Sequence, residues 1–487
     1  MTKENFEKAK LKFQEGIKLF DKKNYSSAEE NFLNSLELAP NRLSVIGNLI
    51  KIYTLTKQEK KLDNILQKYH NFKNEKEIQF GQAFKYFFDQ NFTKSIKICE
   101  KLIDKKDIRY AIQDLLASNY KKENNFLKAL KIYKNKLLEQ KNDYKIFYNI
   151  GCLLFELGKI HQANYHFKKS KNLNPNFADI SWRQSLCALT LKDFKNGFLL
   201  YEDRWKRENH PNKKFDNIKS PNNISDIKDK KILIWDEQGL GDTINFSRFV
   251  IDTLKYTKEI TFVVNKKLKD ILSNLDKEIY VVDYENHNNI NYDFQIALGS
   301  LPKLLNITTT DDIKFYRLFL PKKNVQTDYI DNDKFNIGLA WSGNPNYPMD
   351  KYRSIPFAKF DKLLQFEKFN FYKLSKTDGN SVSINQKTYP NIFDYGEKSL
   401  FEIAEIIKKL DLVISADTSI NHLAGILGVN SILLLNYNND WRWFDDKEKN
   451  YWYPSVQIIK QKNFNSWNEV FENLIVKVEK IYKKKGQ

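Results

Sequence analysis

The stretch DLVISADTSINHLAGILG, residues 411–428, hands a buried strand to a helix through small hydroxyl residues. Leu412, Val413 and Ile414 form a short apolar run, as in a strand covered on both faces. Ser415, Ala416, Asp417, Thr418 and Ser419 follow, and an apolar helical pattern then runs to Gly428. A second apolar run, SILLL at 431–435, comes next. Strand, turn, helix and strand in close succession make a βα unit of a parallel sheet.

The same grammar extends outward on both sides. Upstream in the same set lie NIGLAW (336–341), a helix near 357–366, FYKLS (371–375) and a helix at 399–410. An earlier set opens with KILIW (231–235) and a helix from about Asp242 to Tyr256. It continues with ITFVV, IYVVDY and FQIAL, with the helix KLKDILSNL between the first two of these. Two such sets predict two Rossmann-like domains facing each other, at 230–330 and 331–487. The long amphipathic segment SWNEVFENLIVKVEKIYKKK is expected to cross back over both as a terminal helix.

The first 206 residues read as helix throughout, and they repeat. Gly16, Ala28, Phe32 and Pro40 recur at the same offsets as Gly151, Ala163, Phe167 and Pro175. The small position of the second helix falls at Ala28, Leu62, Ser95, Ala129, Ala163 and Gly197, every step being 34 residues except one of 33. This is the tetratricopeptide (TPR) register, and it predicts five to six repeats over 1–206. Such arrays serve as spacers or as grooves for a protein partner. The polar stretch 207–229, with Pro211 and Pro221, reads as a linker.

Composition limits the functional classes. The net charge of +19 comes mostly from lysine spread along the chain, which favours solvated faces over a nucleic-acid footprint. Peripheral contact with an acidic membrane surface stays open. The three cysteines, Cys99, Cys152 and Cys187, show no zinc or disulfide spacing. The start, MTKENFEKAK, has no apolar signal core, and no uninterrupted apolar run is long enough to span a bilayer. A cytoplasmic location is expected.

Ligands of doubly wound sheets bind beyond the carboxyl ends of the strands. After KILIW comes DEQGLGDTINFSRF, where Gly239 and Gly241 bend the chain and Asp242 opens the helix. This is neither a dinucleotide fingerprint nor a P-loop. Asp242 reads as a general base or as a helix cap. After NIGLAW comes SGNPNYPMDKYRSIP, where Arg353 reads as a phosphate ligand or as the ion-pair partner of Asp350. In the opening stretch, Thr418, Ser419 and the unpaired N–H groups of the first helical turn suit an anion. His422 lies one turn further on, as a ligand contact or a core histidine, and Asp417 is placed to accept from sugar hydroxyls. Trp441 and Arg442, in NNDWRWF, are candidate walls of a donor site or core residues, and Gly241 and Trp341 are further candidate walls. No Asp-x-Asp metal site follows a strand; DND at 331–333 lies in a polar segment.

Taken together, ILIWDEQGLGDTINFSRF, IGLAWSGNPNYPMDKYRSIP, DLVISADTSINHLAGILG and DWRWF with YWYPS carry a resemblance. The segment 231–470 resembles the heptosyltransferase-like glycosyltransferases (family 9) in their TPR-fused bacterial form, as does GFLLYEDRW in the sixth repeat. The resemblance implies a GT-B fold and inverting, metal-independent transfer from a nucleotide-diphosphate sugar, with no other cofactor. It implies that Asp242 is the acceptor's base, and that Arg353 stands where those enzymes contact phosphate through a Lys. It places Asp417, Thr418, Ser419 and His422 in the donor-binding turn. The acceptor it leaves open is a protein or a glycan brought by the TPR groove. The competing reading is a non-catalytic TPR scaffold carrying a degenerate nucleotide-sugar-binding module. A sugar epimerase is a third, for which the sequence shows no additional acidic residues.

Overall fold

The structure is a computed structural model of the 487-residue chain. It describes all residues except 1–2, 106–107, 208–212, 288–290, 323–329, 332, 348, 376–387, 445–449 and 486–487. Parts of the expected linker, of the DND segment and of the proline-rich turn after NIGLAW therefore lie outside the described residues. The chain divides into two compact units, Met1–Asn174 and Pro175–Gln487.

The first unit is built of antiparallel helix pairs: α1 (Lys3–Asp21) with α2 (Tyr25–Leu38), α3 (Leu43–Leu55) with α4 (Glu59–Lys68), and α5 (Lys76–Phe88) with α6 (Phe92–Leu102). Then come α7 (Arg109–Lys122) with α8 (Phe126–Glu139), and α9 (Tyr144–Glu156) with α10 (Ile160–Leu173). The repeat has a steric cause. A Cβ on Gly16 would lie 2.5 Å from the Phe32 ring, and one on Gly151 would lie 2.6 Å from Phe167. Ala28, Ser95, Ala129 and Ala163 are fully buried between helices, where a larger residue would push them apart.

The turn within each pair repeats as well. Lys23, Lys57, Gln90, Asn124, Gly158 and Lys192 all adopt left-handed backbone, with φ between 56° and 68°. These six fall in the same register as the small positions. The next residue caps the second helix through its side chain at Asn24, Asn91, Asn125 and Asp193.

The second unit starts with the sixth pair, α11 (Ala178–Thr190) and α12 (Phe194–Tyr201). Its apolar face joins the core of the following α/β region: Phe194 packs on Phe444 and Phe198 on Trp441, with ring centroids 5.7 and 5.9 Å apart. Strands β1 (Lys231–Trp235), β2 (Glu259–Val264), β3 (Ile279–Asp283) and β4 (Phe294–Ala297) form a parallel sheet of order β3-β2-β1-β4. Helices α13 (Leu240–Thr253), α14 (Lys266–Leu272) and α15 (Leu301–Leu304) accompany it.

A second parallel sheet has the order β10-β9-β8-β5-β6-β7. Its strands are β5 (Phe335–Ala340), β6 (Phe369–Lys373), β7 (Ile392–Asp394), β8 (Leu412–Ala416), β9 (Ser431–Leu435) and β10 (Val456–Lys460). Its helices are α16 (Asp350–Arg353), α17 (Asp361–Leu364), α18 (Leu400–Ile407), α19 (Ser419–Ile426) and α20 (Asn468–Lys485). The fold is thus a TPR-type helical array followed by two Rossmann-like parallel sheets, the GT-B arrangement. The strand order reverses beside β1 and again beside β5, and crevices at such points take ligands. The four buried residues of α20, Val470, Phe471, Leu474 and Val478, all join the core of the second sheet, so the helix is anchored there. Among the described residues no helix is long and apolar enough to cross a membrane.

Phe167 is fully buried and fills the space that Gly151 leaves open. Phe167→Ala is expected to destabilise the helical unit by about 3–5 kcal/mol, read from its denaturant unfolding curve, whereas Phe167→Leu costs clearly less.

Candidate active site

The turn after β1 leads into α13 and carries Asp242. Gly239 is the N-cap of α13, and its backbone N–H donates to Asp242 Oδ2 at 3.1 Å. Asp242 therefore caps its own helix with one carboxylate oxygen. The other, Oδ1, lies 2.7 Å from Arg442 Nη2, so the base and cap readings are compatible. Between them Gly241 presses against α19: a Cβ there would sit 2.8 Å from His422 Cδ2.

Arg442 is held in place from several sides. Its Nη1 meets Asp440 Oδ1 at 2.8 Å, and its guanidinium lies 5.1 Å from the Phe246 ring centroid and 4.8 Å from that of Trp441. Its contact with Asp242 is an ion pair rather than an aligned hydrogen bond, and its buried Nε has no hydrogen-bond partner among the described residues. Burial pushes the Asp242 carboxyl up from its ordinary range, against the opposing pull of Arg442. The carboxylate still keeps 30% of its side-chain surface open.

Arg353 does pair with Asp350, Nε to Oδ1 at 2.9 Å, but the Asp350 carboxylate is buried rather than at the surface. It also donates from Nη1 to the backbone carbonyl of Asp417 at 2.8 Å and lies 4.7 Å from the Tyr347 ring. The arginine thus tethers the loop after β5 to the turn after β8. At that turn Thr418 is the N-cap of α19, and its side chain makes no capping hydrogen bond to the helix's leading N–H groups. Ser415 Oγ and Thr418 Oγ1 are 3.2 Å apart. Burial, and next to it the charge of Asp440, pushes the Asp417 carboxyl up to about 7.

His422 is buried. Its Nδ1 is 3.0 Å from Tyr453 Oη, and its ring stacks on Trp443 at 5.1 Å. Burial, then the charges of Arg442, Arg248 and Arg353, holds it well below the ordinary histidine range, so it is a neutral ring at the joint between α13 and α19.

Asp242, Arg442, Arg353, Asp417, Thr418 and Ser419 therefore come together, with His422 beneath them. Trp341 sits elsewhere, in the second-sheet core against Phe357 at 4.9 Å. Trp441 is also a core residue, beside Phe198, Phe246 and Trp452, and supports Arg442 from behind. Sequence reading passed over Asp440 and Tyr347, whereas the Asp350–Arg353 pair is one it offered. The Asp-Trp-Arg spacing in NNDWRWF was the available signal for Asp440. Among the described residues no group of three or more His, Cys, Asp or Glu is placed to hold a metal ion.

No protein-family model matches the chain, and no curated protein matches it. Several solved structures are similar. ADP-heptose lps heptosyltransferase II of E. coli is 12% identical, over 53% of this chain and 100% of that one, with a TM-score of 0.39. A glycosyl transferase family 9 protein of Veillonella parvula is 13% identical, over 53% of this chain and 99% of that one, also at 0.39. A tetratricopeptide repeat protein of Parabacteroides merdae is 15% identical, over 40% of this chain and 76% of that one, at 0.32. With scores below 0.5, these likenesses leave the fold to rest on the chain's own helices and sheets.

Asp417 gives the site a pH signature. Its folded-state value of about 7 lies above the ordinary 3.8, so the folded state binds the proton more tightly than the unfolded one. Stability contributed by this group falls as pH rises from about 4 to about 7 and then levels off. Asp417→Asn is expected to be more stable than the parent at pH 8, with the difference shrinking toward pH 4. Unfolding midpoints across that range measure it, and a difference independent of pH would contradict the assignment.

Proposed function

We propose that the second unit is a glycosyltransferase that moves a sugar from a nucleotide-diphosphate donor to a hydroxyl of a protein or glycan acceptor, with inversion and without a metal ion. The observation that carries the reading is the convergence of a partly open carboxylate, Asp242, with two arginines and an uncapped helix N-terminus. A departing diphosphate develops negative charge, and preorganised donors aimed at that charge lower the barrier. Arg353 and the leading N–H groups of α19 have the chemistry to provide them.

In the proposed step the acceptor oxygen attacks the anomeric carbon on the face opposite the diphosphate. Its proton passes to Asp242, the bond from the anomeric carbon to the diphosphate oxygen breaks, and the electron pair leaves with the diphosphate. Configuration at the anomeric carbon inverts. The upward shift of Asp242 brings its basicity closer to working pH, while Arg442 favours the ionised form that a base requires. The helical repeats serve in this reading as the surface that recognises the acceptor's carrier.

The test uses UDP-, GDP-, ADP- and CMP-linked sugars and the free nucleoside diphosphates in a thermal-shift panel. One nucleotide family is expected to raise the unfolding midpoint of the parent, and Arg353→Ala to lose most of that rise. With the donor so identified, Asp242→Asn is expected to keep donor binding and lose about 10²–10⁴-fold in transfer rate. No shift with any donor at millimolar concentration, from a well-folded protein, would favour the scaffold reading instead.

A further inference from the structure

Beside the first sheet lies a cavity of about 320 Å³ whose lining includes neither Asp242 nor Arg442. It has the size of a small ligand pocket, whose usual range starts near 300 Å³. Trp235, at the end of β1, and Trp205 contribute its apolar walls, and Glu202 and Ser300 one polar wall.

Charge and hydrogen bonding restrict what fits. Lys213 and Lys303 border the cavity, are exposed, and form no ion pair among the described residues. Asn222 and Asn306 also line it, both exposed, and their side-chain amides make no hydrogen bond among the described residues. The indole of Trp205 is already covered by cations, with the Arg204 guanidinium 4.4 Å and the Lys213 ammonium 5.5 Å from its centroid. Trp235 spends its N–H on Gln295 at 2.6 Å. The cavity therefore has little open aromatic face for a flat base, while its two ammonium groups have no anionic partner among the described residues and Lys213 is held only by its contact with Trp205. That combination suits a ligand rich in hydroxyls and bearing a negative charge.

The polar wall is rigid, as a binding site needs. Arg204 is fully buried and spends all five N–H donors. Nε and Nη2 each meet Glu237 at 3.0 Å, Nη1 meets Glu202 at 2.6 Å and the Tyr201 carbonyl at 3.2 Å, and Nη2 donates to Ser300 Oγ at 2.9 Å. Glu237 also accepts from the Gly299 N–H at 2.8 Å, in a space that a side chain at Gly299 would invade. Glu202 and Ser300 are thus fixed on one side while facing the cavity on the other.

We propose that this cavity binds an anionic sugar, one carrying a carboxylate or a phosphate, with Lys213 and Lys303 meeting the charge and Asn222 and Asn306 the hydroxyls. The site is separate from the donor reading and does not depend on it. Calorimetric titration of the full chain with glucuronate, glucose 6-phosphate, glucose and inorganic phosphate tests it. One or both charged sugars are expected to bind, and the choice between them tells carboxylate from phosphate. Lys213→Ala/Lys303→Ala, in which two exposed side chains are truncated, should weaken that binding at least about tenfold. Arg353→Ala should leave it unchanged, which separates this site from the donor site. Equal binding of glucose, equal binding of inorganic phosphate, binding indifferent to the double variant, or no binding by either charged sugar would each overturn the proposal.

Discussion

The close approach of α13 to α19 is the constraint on which the candidate site depends. Gly241 has no side chain, and His422 occupies the space beside it. Because both helices begin at strand ends, their contact brings the turn after β1 to the turn after β8. Asp242 then comes within reach of Arg442, and Arg353 reaches the carbonyl of Asp417. The aromatic layer of Trp443, Tyr453 and Trp441 packs around His422 and Arg442, and both are buried. This packing also accounts for a neutral His422: desolvation and three nearby guanidinium groups all disfavour its charged form.

A second joint ties the sixth helix pair to the same turn. Arg204 follows α12, and Glu237 lies between β1 and α13. A buried ion network adds little net stability, because desolvation consumes most of the Coulombic gain. Its geometric effect is larger. An arginine with five directed N–H groups needs five acceptors in one arrangement, and here they come from Glu237, Glu202, Ser300 and the Tyr201 carbonyl. Together with Gln238, which donates to Tyr201 Oη at 2.5 Å, this fixes where the DEQGLGD turn starts. The sixth pair shares the repeat register of the first unit yet packs as part of the second.

Local rules explain what was legible in the sequence. The repeats were readable because small positions such as Gly16 and Gly151 answer to Phe32 and Phe167 within their own 34-residue units. The parallel sheets were readable because strands buried on both faces are short apolar runs. Asp242, Arg353 and the turn at 417–419 stood out because they follow strand ends. The partners were not readable, since each joins segments far apart in the chain: Arg442 meets Asp242 across 200 residues, and Arg204 meets Glu237 across 33. Trp341 shows the opposite failure. Its place after β5 suggested a wall of the site, but the side chain turns into the core against Phe357 and Phe360.

The charges of the cleft bear on what it can accept. Asp242, Asp350, Asp417 and Asp440 face two arginines, Arg353 and Arg442. Arg353 balances Asp350, and Arg442 is shared between Asp242 and Asp440, so among the described residues Asp417 is the carboxylate without a direct cationic partner for its side chain. That is why burial and Asp440 carry it up to about 7. A diphosphate placed at the N-terminus of α19 would raise it further, because a like charge nearby disfavours ionisation. On the proposed reading, donor binding then brings a proton onto Asp417. The neutral carboxyl would then no longer repel the diphosphate.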